Sequence, residues 1–302
     1  MSEIVSVMDV GGTHVSAANV DLTTRAILPG QHVRVPLNGD VTADQFVATL
    51  TACAAQLPTQ PGRRWSIALP GPFDYERGIA LYEGVGKFDA LRGLDLRAAL
   101  SELGHVSFHN DAAAFGLGEW WVGAARRHRT VAGISLGTGV GSCFLRDGNI
   151  VRDEPGLPPD GRIDLLRFEG RPLEETVSRR AIRRAYAQAT AETPAPDVRE
   201  IAQRARNGDR AASEAITCAM RALSTVLGPV LAAFDPTILV VGGSIAASWD
   251  LVADPLRAAL GGRIAVERPT HPTEAPLLGA AYLGATVRPE STLGSAGSAP
   301  RG

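Results

Sequence analysis

A chain of 302 residues with 45% hydrophobic content can bury a full core, and its length favours two domains or one large one. Its 30 basic and 32 acidic side chains leave a net charge of -2, which gives no support for a polyanion-binding surface, because nucleic-acid affinity leans on clustered Lys and Arg. Three isolated cysteines, Cys53, Cys143 and Cys218, argue against a disulfide framework or a cysteine-rich zinc site and fit reduced thiols in a cytoplasmic protein.

In chain order, Met1-Ser2-Glu3 lacks a basic region ahead of its short apolar run, so no signal peptide is expected, and no stretch reads as a membrane span. Strands are predicted at 4–10 and 14–21, joined by a tight turn at Gly11-Gly12-Thr13. Paired glycines let backbone N–H groups approach an anion, Thr13 offers a hydroxyl, and Asp9 suits a hydrated Mg2+; an ordinary hairpin turn is the alternative. A further strand is expected at 31–35. Asp44 to Leu57 then carries Phe46, Val47, Leu50, Ala54 and Leu57 at helical spacing, before Pro58 and Pro61 end the helix.

Trp65 to Leu69 reads as a buried strand running into the rigid turn Pro70-Gly71-Pro72-Phe73-Asp74, a natural wall for a small-molecule site. Residues 75–92 read as loop, with room for one short strand, and Asp95 to Leu103 as a brief helix. The strand Val106 to His109 feeds Asn110-Asp111 and a helix from Ala112 to Trp121, a junction where α/β proteins commonly place chemistry. Arg126 to Arg129 is a basic cluster that reads as a solvated loop.

The pattern of strand, glycine-threonine turn and strand then repeats. Thr130 to Leu136 turns at Gly137-Thr138-Gly139 and returns through Val140 to Leu145, which points to a duplicated architecture with a cleft between the halves. Residues 153–172 read as an ordered loop. Helices are predicted from Leu173 to Ala189, Asp197 to Asn207, and Asp209 to Phe234 with a break near Gly228-Pro229. Thr237 to Val241 is a strand, Gly242-Gly243-Ser244 opens another helix, 263–267 is a short strand, and Pro276 to Val287 is a helix ahead of a disordered tail.

Three glycine-rich turns, each directly after a hydrophobic strand, are far more specific than one. With Leu69 to Asp74, Asn110-Asp111-Ala112-Ala113-Ala114, Gly118-Glu119 and Leu278-Gly279-Ala280-Ala281, they run in the order found in the ROK family of sugar kinases, which this sequence resembles over nearly its whole length. The resemblance implies an α/β fold of duplicated actin-like ATPase (ribonuclease H-like) domains around an interdomain cleft. It divides the chain into an N-terminal domain at 1–120, completed by a helix at 276–288, a C-terminal domain at 121–275, and a tail at 289–302.

The resemblance also implies roles. Asp111 is the expected general base, and Asn110 the partner of a neighbouring sugar hydroxyl; phosphoryl transfer needs one carboxylate within reach of the attacking oxygen. Helix capping is the alternative role for this pair. Gly71 would wall the acceptor site. Gly11, Gly12 and Thr13 would face Gly137, Thr138 and Gly139 across the ATP phosphates, with Asp9 holding Mg2+, directly or through water. Gly242, Gly243 and Ser244 would pack against adenosine.

One segment departs from the family pattern. Asp153-Glu154-Pro155-Gly156-Leu157 keeps the family's glutamate and glycine but has leucine in place of its histidine, and no cysteine lies between Cys143 and Cys218, so no structural zinc is expected. Leu173-Glu174-Glu175-Thr176-Val177-Ser178 keeps glutamate and serine, and Glu154 and Glu174 become candidate sugar ligands; each alone would read as a solvated glutamate.

The expectation is a cytoplasmic, ATP- and Mg2+-dependent kinase acting on the primary hydroxyl of glucose, an amino sugar such as kanosamine, a C7 cyclitol or another hexose, with polyphosphate as the alternative donor. The resemblance implies a homodimer, with no nucleic-acid or membrane partner. Two rival readings are a sugar-responsive transcriptional regulator, which would need a helix-turn-helix domain ahead of Asp9, and a non-catalytic sugar-binding protein.

Overall fold

The computed structural model describes residues 3–60, 62–84 and 87–286. In the first half, β1 (Ile4–Val10), β2 (His14–Asp21) and β3 (Ala26–Pro36) form an antiparallel meander, followed by α1 (Ala43–Ala55) and β4 (Arg64–Leu69). The short strands β5 (Phe73–Asp74) and β6 (Ile79–Ala80), the single turn α2 (Leu96–Ala99), β7 (His105–Asn110) and α3 (Asp111–Trp121) come next. β4 lies parallel to both β1 and β7, giving the order β3-β2-β1-β4-β7.

The second half repeats this plan. β8 (Thr130–Leu136), β9 (Val140–Arg146) and β10 (Asn149–Ile150) form the meander, a small ladder of β11 (Arg167–Phe168) and β12 (Arg171–Pro172) follows, and then α4 (Glu174–Val177), α5 (Arg179–Thr190), α6 (Val198–Arg206) and α7 (Arg210–Phe234). β13 (Ile238–Gly242) lies parallel to β8, and after α8 (Trp249–Leu260) β14 (Ala265–Glu267) lies parallel to β13. The order β10-β9-β8-β13-β14 reproduces that of the first sheet, so the duplication expected from the repeated glycine turns is present in the topology. The chain ends its described part in α9 (Ala275–Thr286).

Register explains why distant motifs meet. In the first sheet Asp9 pairs with Ala68, and Leu69 with Asn110, so the first glycine turn, the proline turn and the Asn110-Asp111 junction leave the sheet side by side. In the second, Gly242 pairs with Ser135, which sets the turn after Leu136 beside the one after Gly242. Both clusters lie beyond the carboxyl ends of parallel strands, where open α/β sheets bind ligands.

α3 lies between the two sheets. Ala114 and Trp121 join Val5, Val7, Leu277 and Ala281 against the first sheet, while Ala113, Phe115 and Leu117 pack with Val131, Leu145 and Val240 of the second. α9 crosses α3 at contact distance: a methyl group on Gly118 would run into the Ala275 carbonyl, and one on Gly279 into the Ala114 carbonyl. Small residues at such a crossing let the backbones touch, and the Ser66 hydroxyl donates to the Ala280 carbonyl at 2.6 Å to tie α9 to β4. Separate apolar cores lie under α1 on one side and under α5, α6 and α7 on the other.

Several expected elements change. The strand expected at 31–35 extends over Ala26–Pro36, and the brief helix at 95–103 is one turn of α2 followed by a 3-10 turn at Ser101–Leu103. The single helix expected from 173 to 189 is two, because Ser178 is extended (ψ 162°) and its hydroxyl accepts from the Ala181 N–H to start α5 afresh. α7 runs unbroken through Pro229, since Leu227, Val230, Leu231 and Phe234 on both sides are seated in the core. By length and composition α7 is also apolar enough to cross a membrane, contrary to the expectation from sequence, but 56% of its most apolar window is buried within the protein. Gly242-Gly243-Ser244 does not open a helix; α8 begins at Trp249. The expected tail at 289–302 and the last residues of the expected final helix lie outside the described residues.

Candidate active site

The two clusters of turns enclose a cleft of about 700 Å3. Gly11, Gly12, Gly71, Asn110, Asp111, Gly137, Thr138, Gly139, Glu174 and Gly243 line it. The structure therefore brings together ten positions singled out from sequence. Asp9, Thr13, Glu154, Gly242 and Ser244 are not among the lining residues.

Both glycine turns are built alike. In the first, the Gly11 N–H closes the turn onto the His14 carbonyl at 2.9 Å; in the second, the Gly137 N–H closes onto the Gly139 carbonyl at 2.9 Å. Gly12, Thr13, Thr138 and Gly139 are left with backbone N–H groups that have no acceptor among the described residues. Unpaired N–H groups in a glycine turn form an anion-binding concavity. The Thr13 hydroxyl is turned away and contacts the His14 ring at 2.9 Å.

The acceptor side is built on the start of α3. Asn110 is the N-cap: its Oδ1 accepts from the Ala113 N–H at 3.0 Å and its Nδ2 donates to the Tyr75 hydroxyl at 3.1 Å. Capping and site placement thus coincide in one residue. Tyr75 donates in turn to the Leu69 carbonyl at 3.1 Å, which joins the proline turn to the junction. The Asp111 carboxylate accepts from the Ala112 N–H through Oδ1 at 2.8 Å and is also favoured by its own backbone N–H.

Charge in the cleft is set by burial. Loss of water raises the Asp111 carboxyl above its ordinary range, opposed first by the Lys87 ammonium and then by the Ala112 hydrogen bond. Asp9 is pushed up to about 7, mainly by burial and then by the nearby Asp111 charge, with Arg34 opposing. His109, half-buried next to Asn110, is pushed down to about 4 by loss of water and by Arg152, so it is neutral at neutral pH.

Some assignments move. Glu154 is paired with Arg146 at 2.8 Å and does not line the cleft. Glu174 does line it, but its Oε2 accepts from the Val140 N–H at 3.2 Å beside Gly139, which attaches it to the second glycine turn rather than to the acceptor side. Gly242 is buried in β13, where a side chain would strike the Phe115 ring; Gly243, at φ +87° against the Leu136 backbone, takes the cleft position. Ser244 lies beside Gly137.

Lys87, Tyr75, Arg152 and Arg162 also line the cleft and were not found from sequence. Arg162 comes from the segment that departs from the family pattern and Arg152 directly precedes it; both lower the Tyr75 hydroxyl's otherwise raised pKa. The Ser142 hydroxyl pins that segment, donating to the Gly161 carbonyl at 2.6 Å and accepting from the Ile163 N–H at 3.1 Å. For Lys87 there was a signal: it is the only lysine among the 30 basic residues.

No group of three or more His, Cys, Asp and Glu side chains that could hold a metal occurs among the described residues. A lone carboxylate such as Asp9, close to N–H groups suited to phosphate, fits Mg2+, which keeps most of its waters and is held largely by nucleotide phosphates.

The ROK family model matches residues 5–286. The chain is 29% identical over 215 residues to the glucokinase of Thermotoga maritima, covering 63% of this chain and 67% of that one. It is 25% identical over 298 residues to a beta-glucoside kinase of Listeria monocytogenes, covering 92% and 96%. Among solved structures, the ROK hexokinase of Thermus thermophilus superposes with a TM-score of 0.76 at 26% identity, covering 94% and 99%.

Proposed function

This chain belongs to the ROK family, as an ATP-dependent carbohydrate kinase, and from that premise we propose that it transfers the γ-phosphoryl group of ATP to the primary hydroxyl of a hexose or hexose-like acceptor, with Asp111 as general base. The observation that carries this reading is the position of Asp111. Its half-buried carboxylate lies in the same cleft as two turns of unpaired N–H groups. A base with a raised pKa and a pair of anion cradles are the parts that phosphoryl transfer needs, because its catalysis is mainly positioning and charge stabilisation.

In this mechanism the Gly12, Thr13, Thr138 and Gly139 N–H groups hold the phosphate chain from both sides. The Asp111 carboxylate accepts the proton of the acceptor hydroxyl as the hydroxyl oxygen bonds to phosphorus. Asn110, fixed by Tyr75, keeps the junction rigid and borders the acceptor. Asp9 would hold the Mg2+ that accompanies the nucleotide, and Mg·ATP supplies the phosphoryl group and neutralises its charge. Approach of the two halves about α3 and α9, between residues 1–120 and 121–275, would exclude water, the competing acceptor.

The relatives named above act on glucose and on beta-glucosides by their names, and the altered segment, with Leu157 in place of the family histidine, supports an acceptor other than plain glucose, such as an amino sugar or a C7 cyclitol. We place the enzyme in the cytoplasm, as a homodimer by family resemblance. An ADP-release assay over hexoses, amino sugars and cyclitols tests the reading: turnover with one member supports it, and no turnover above the acceptor-free rate with any of them overturns it.

A further inference from the structure

We propose that Lys87 is a catalytic residue whose ammonium group contacts the phosphoryl group during transfer, between Asp111 and the first glycine turn. The inference rests on the kinase reading above and assigns a residue that the motifs do not include.

Its placement carries the argument. The stem of Lys87 runs over the first turn: a methyl group on Gly12 would lie 3.5 Å from its Cδ, and one on Gly39 would lie 3.1 Å from its Cβ. Lys87 lines the same cleft as Gly12 and Asp111. It has no hydrogen bond or ion pair among the described residues, so its charge is available in the cleft. The charged groups around this point are Asp9 and Asp111, with Arg34 behind Asp9.

The adjacent Phe88 holds it there. Phe88 is fully buried, meets the rings of Phe46 and Tyr82 at centroid distances of 5.2 and 5.5 Å, and donates its N–H to the Gly39 carbonyl at 2.7 Å. Its backbone is left-handed at φ 61°, an uncommon conformation for an aromatic residue, and such strained positions cluster at functional sites. Composition adds an independent signal. Wherever else this chain uses a basic side chain it uses arginine, yet the single lysine lies in the cleft. Lysine is a compact point charge with three donors, and arginine a broad planar fork, so the two are not interchangeable in a narrow place.

The chemistry balances without a further reactant. The acceptor oxygen bonds to the γ-phosphorus, the bond from that phosphorus to the bridging oxygen breaks, and the electron pair leaves on ADP. Asp111 takes the hydroxyl proton, and Lys87 stays protonated throughout, countering negative charge on the phosphoryl oxygens.

The test uses the full chain and the best acceptor of the ADP-release panel. Lys87→Met is expected to lower kcat by about 100-fold or more, the size of removing one transition-state donor, with the acceptor KM changed by less than about fivefold; Lys87→Arg restores part of the rate. Because Lys87 is the only lysine, chemical modification is nearly site-specific. Reductive dimethylation, which keeps the charge, should retain most activity and acetylation should abolish it, with Lys87→Arg as the control for the N-terminal amine. Lys87→Met turning over within about twofold of the unmodified chain, or acetylation and dimethylation acting alike, overturns the inference. If that happens while Asp111→Asn is inactive, only the role of Lys87 falls; if Asp111→Asn is also fully active, the kinase reading falls with it.

Discussion

The Glu174 carboxylate accepts a hydrogen bond from the Val140 N–H at 3.2 Å and lies against Gly139. It therefore braces the second glycine turn within the cleft, and α4 begins at this residue. Removing the brace should loosen the turn. Glu174→Ala is expected to raise the KM for ATP about tenfold or more and to change the acceptor KM little; Val140 N–H then lacks its acceptor, at a cost of roughly 1–3 kcal/mol. Steady-state kinetics with each substrate varied in turn measure this, and an equal rise in both KM values would return Glu174 to the acceptor side.

Asp9 sets a pH dependence. Its pKa, pushed up to about 7 from an unfolded value of 3.8, means that the folded protein holds a proton there which the unfolded chain releases. Between about pH 4 and 7 this makes the ligand-free fold lose stability as pH rises, and above 7 the contribution is flat. Comparing thermal midpoints of the unaltered chain and Asp9→Asn across this range isolates the effect, with the difference favouring Asp9→Asn more as pH rises. In the proposed role beside Mg·ATP, Asp9 acts in its ionised form, so the affinity for Mg·ATP should fall below pH 7 and Asp9→Asn should show no such limb. A variant with the same limb as the parent would assign the titration elsewhere.

Glu119 ties the end of α3 to both connections between the sheets. Fully buried, it accepts from the Ala124 N–H at 2.8 Å, the Thr270 N–H at 3.0 Å and the His271 N–H at 3.1 Å. Glu119→Ala leaves these donors without a partner and is expected to cost about 3 kcal/mol or more, read as a lower urea midpoint. Glu119→Gln, which keeps one acceptor oxygen, should lose less. Equal midpoints for all three proteins would contradict the clamp.

The repeated strand, glycine turn and strand could be read from sequence because each copy is local: a period-two apolar run, then glycines, then another run. Register did the rest, since the pairing of Leu69 with Asn110 and of Ser135 with Gly242 follows from parallel strands packed in one order twice. The break at Ser178 was hidden, because apolar spacing continues across it while one hydroxyl restarts the helix. Glu154 and Glu174 were indistinguishable as sequence, both being glutamates at family positions. Only the third dimension shows one paired with Arg146 and the other on a turn. Lys87 lay in a glycine-rich segment without periodicity, where no pattern of neighbours marks a residue, and its sole signal was compositional.

The alignment of α3 with α9 depends on glycine at the crossing. Gly279→Ala would force a methyl group into the Ala114 carbonyl, and overpacking of this kind costs typically about 1–3 kcal/mol. Because α3 carries Asp111 at its start, the displaced helix should lower kcat as well as the thermal midpoint. Unchanged values of both would show that the crossing can yield.

The assignment of Asp111 as the base is tested most directly by Asp111→Asn, with turnover and ligand binding measured on the same preparation. The account predicts that kcat falls about 100- to 10,000-fold, the range for loss of a general base, while calorimetry finds nucleotide and acceptor bound within a few-fold of the parent affinities. Turnover within about threefold of the parent, with both ligands bound, would contradict it.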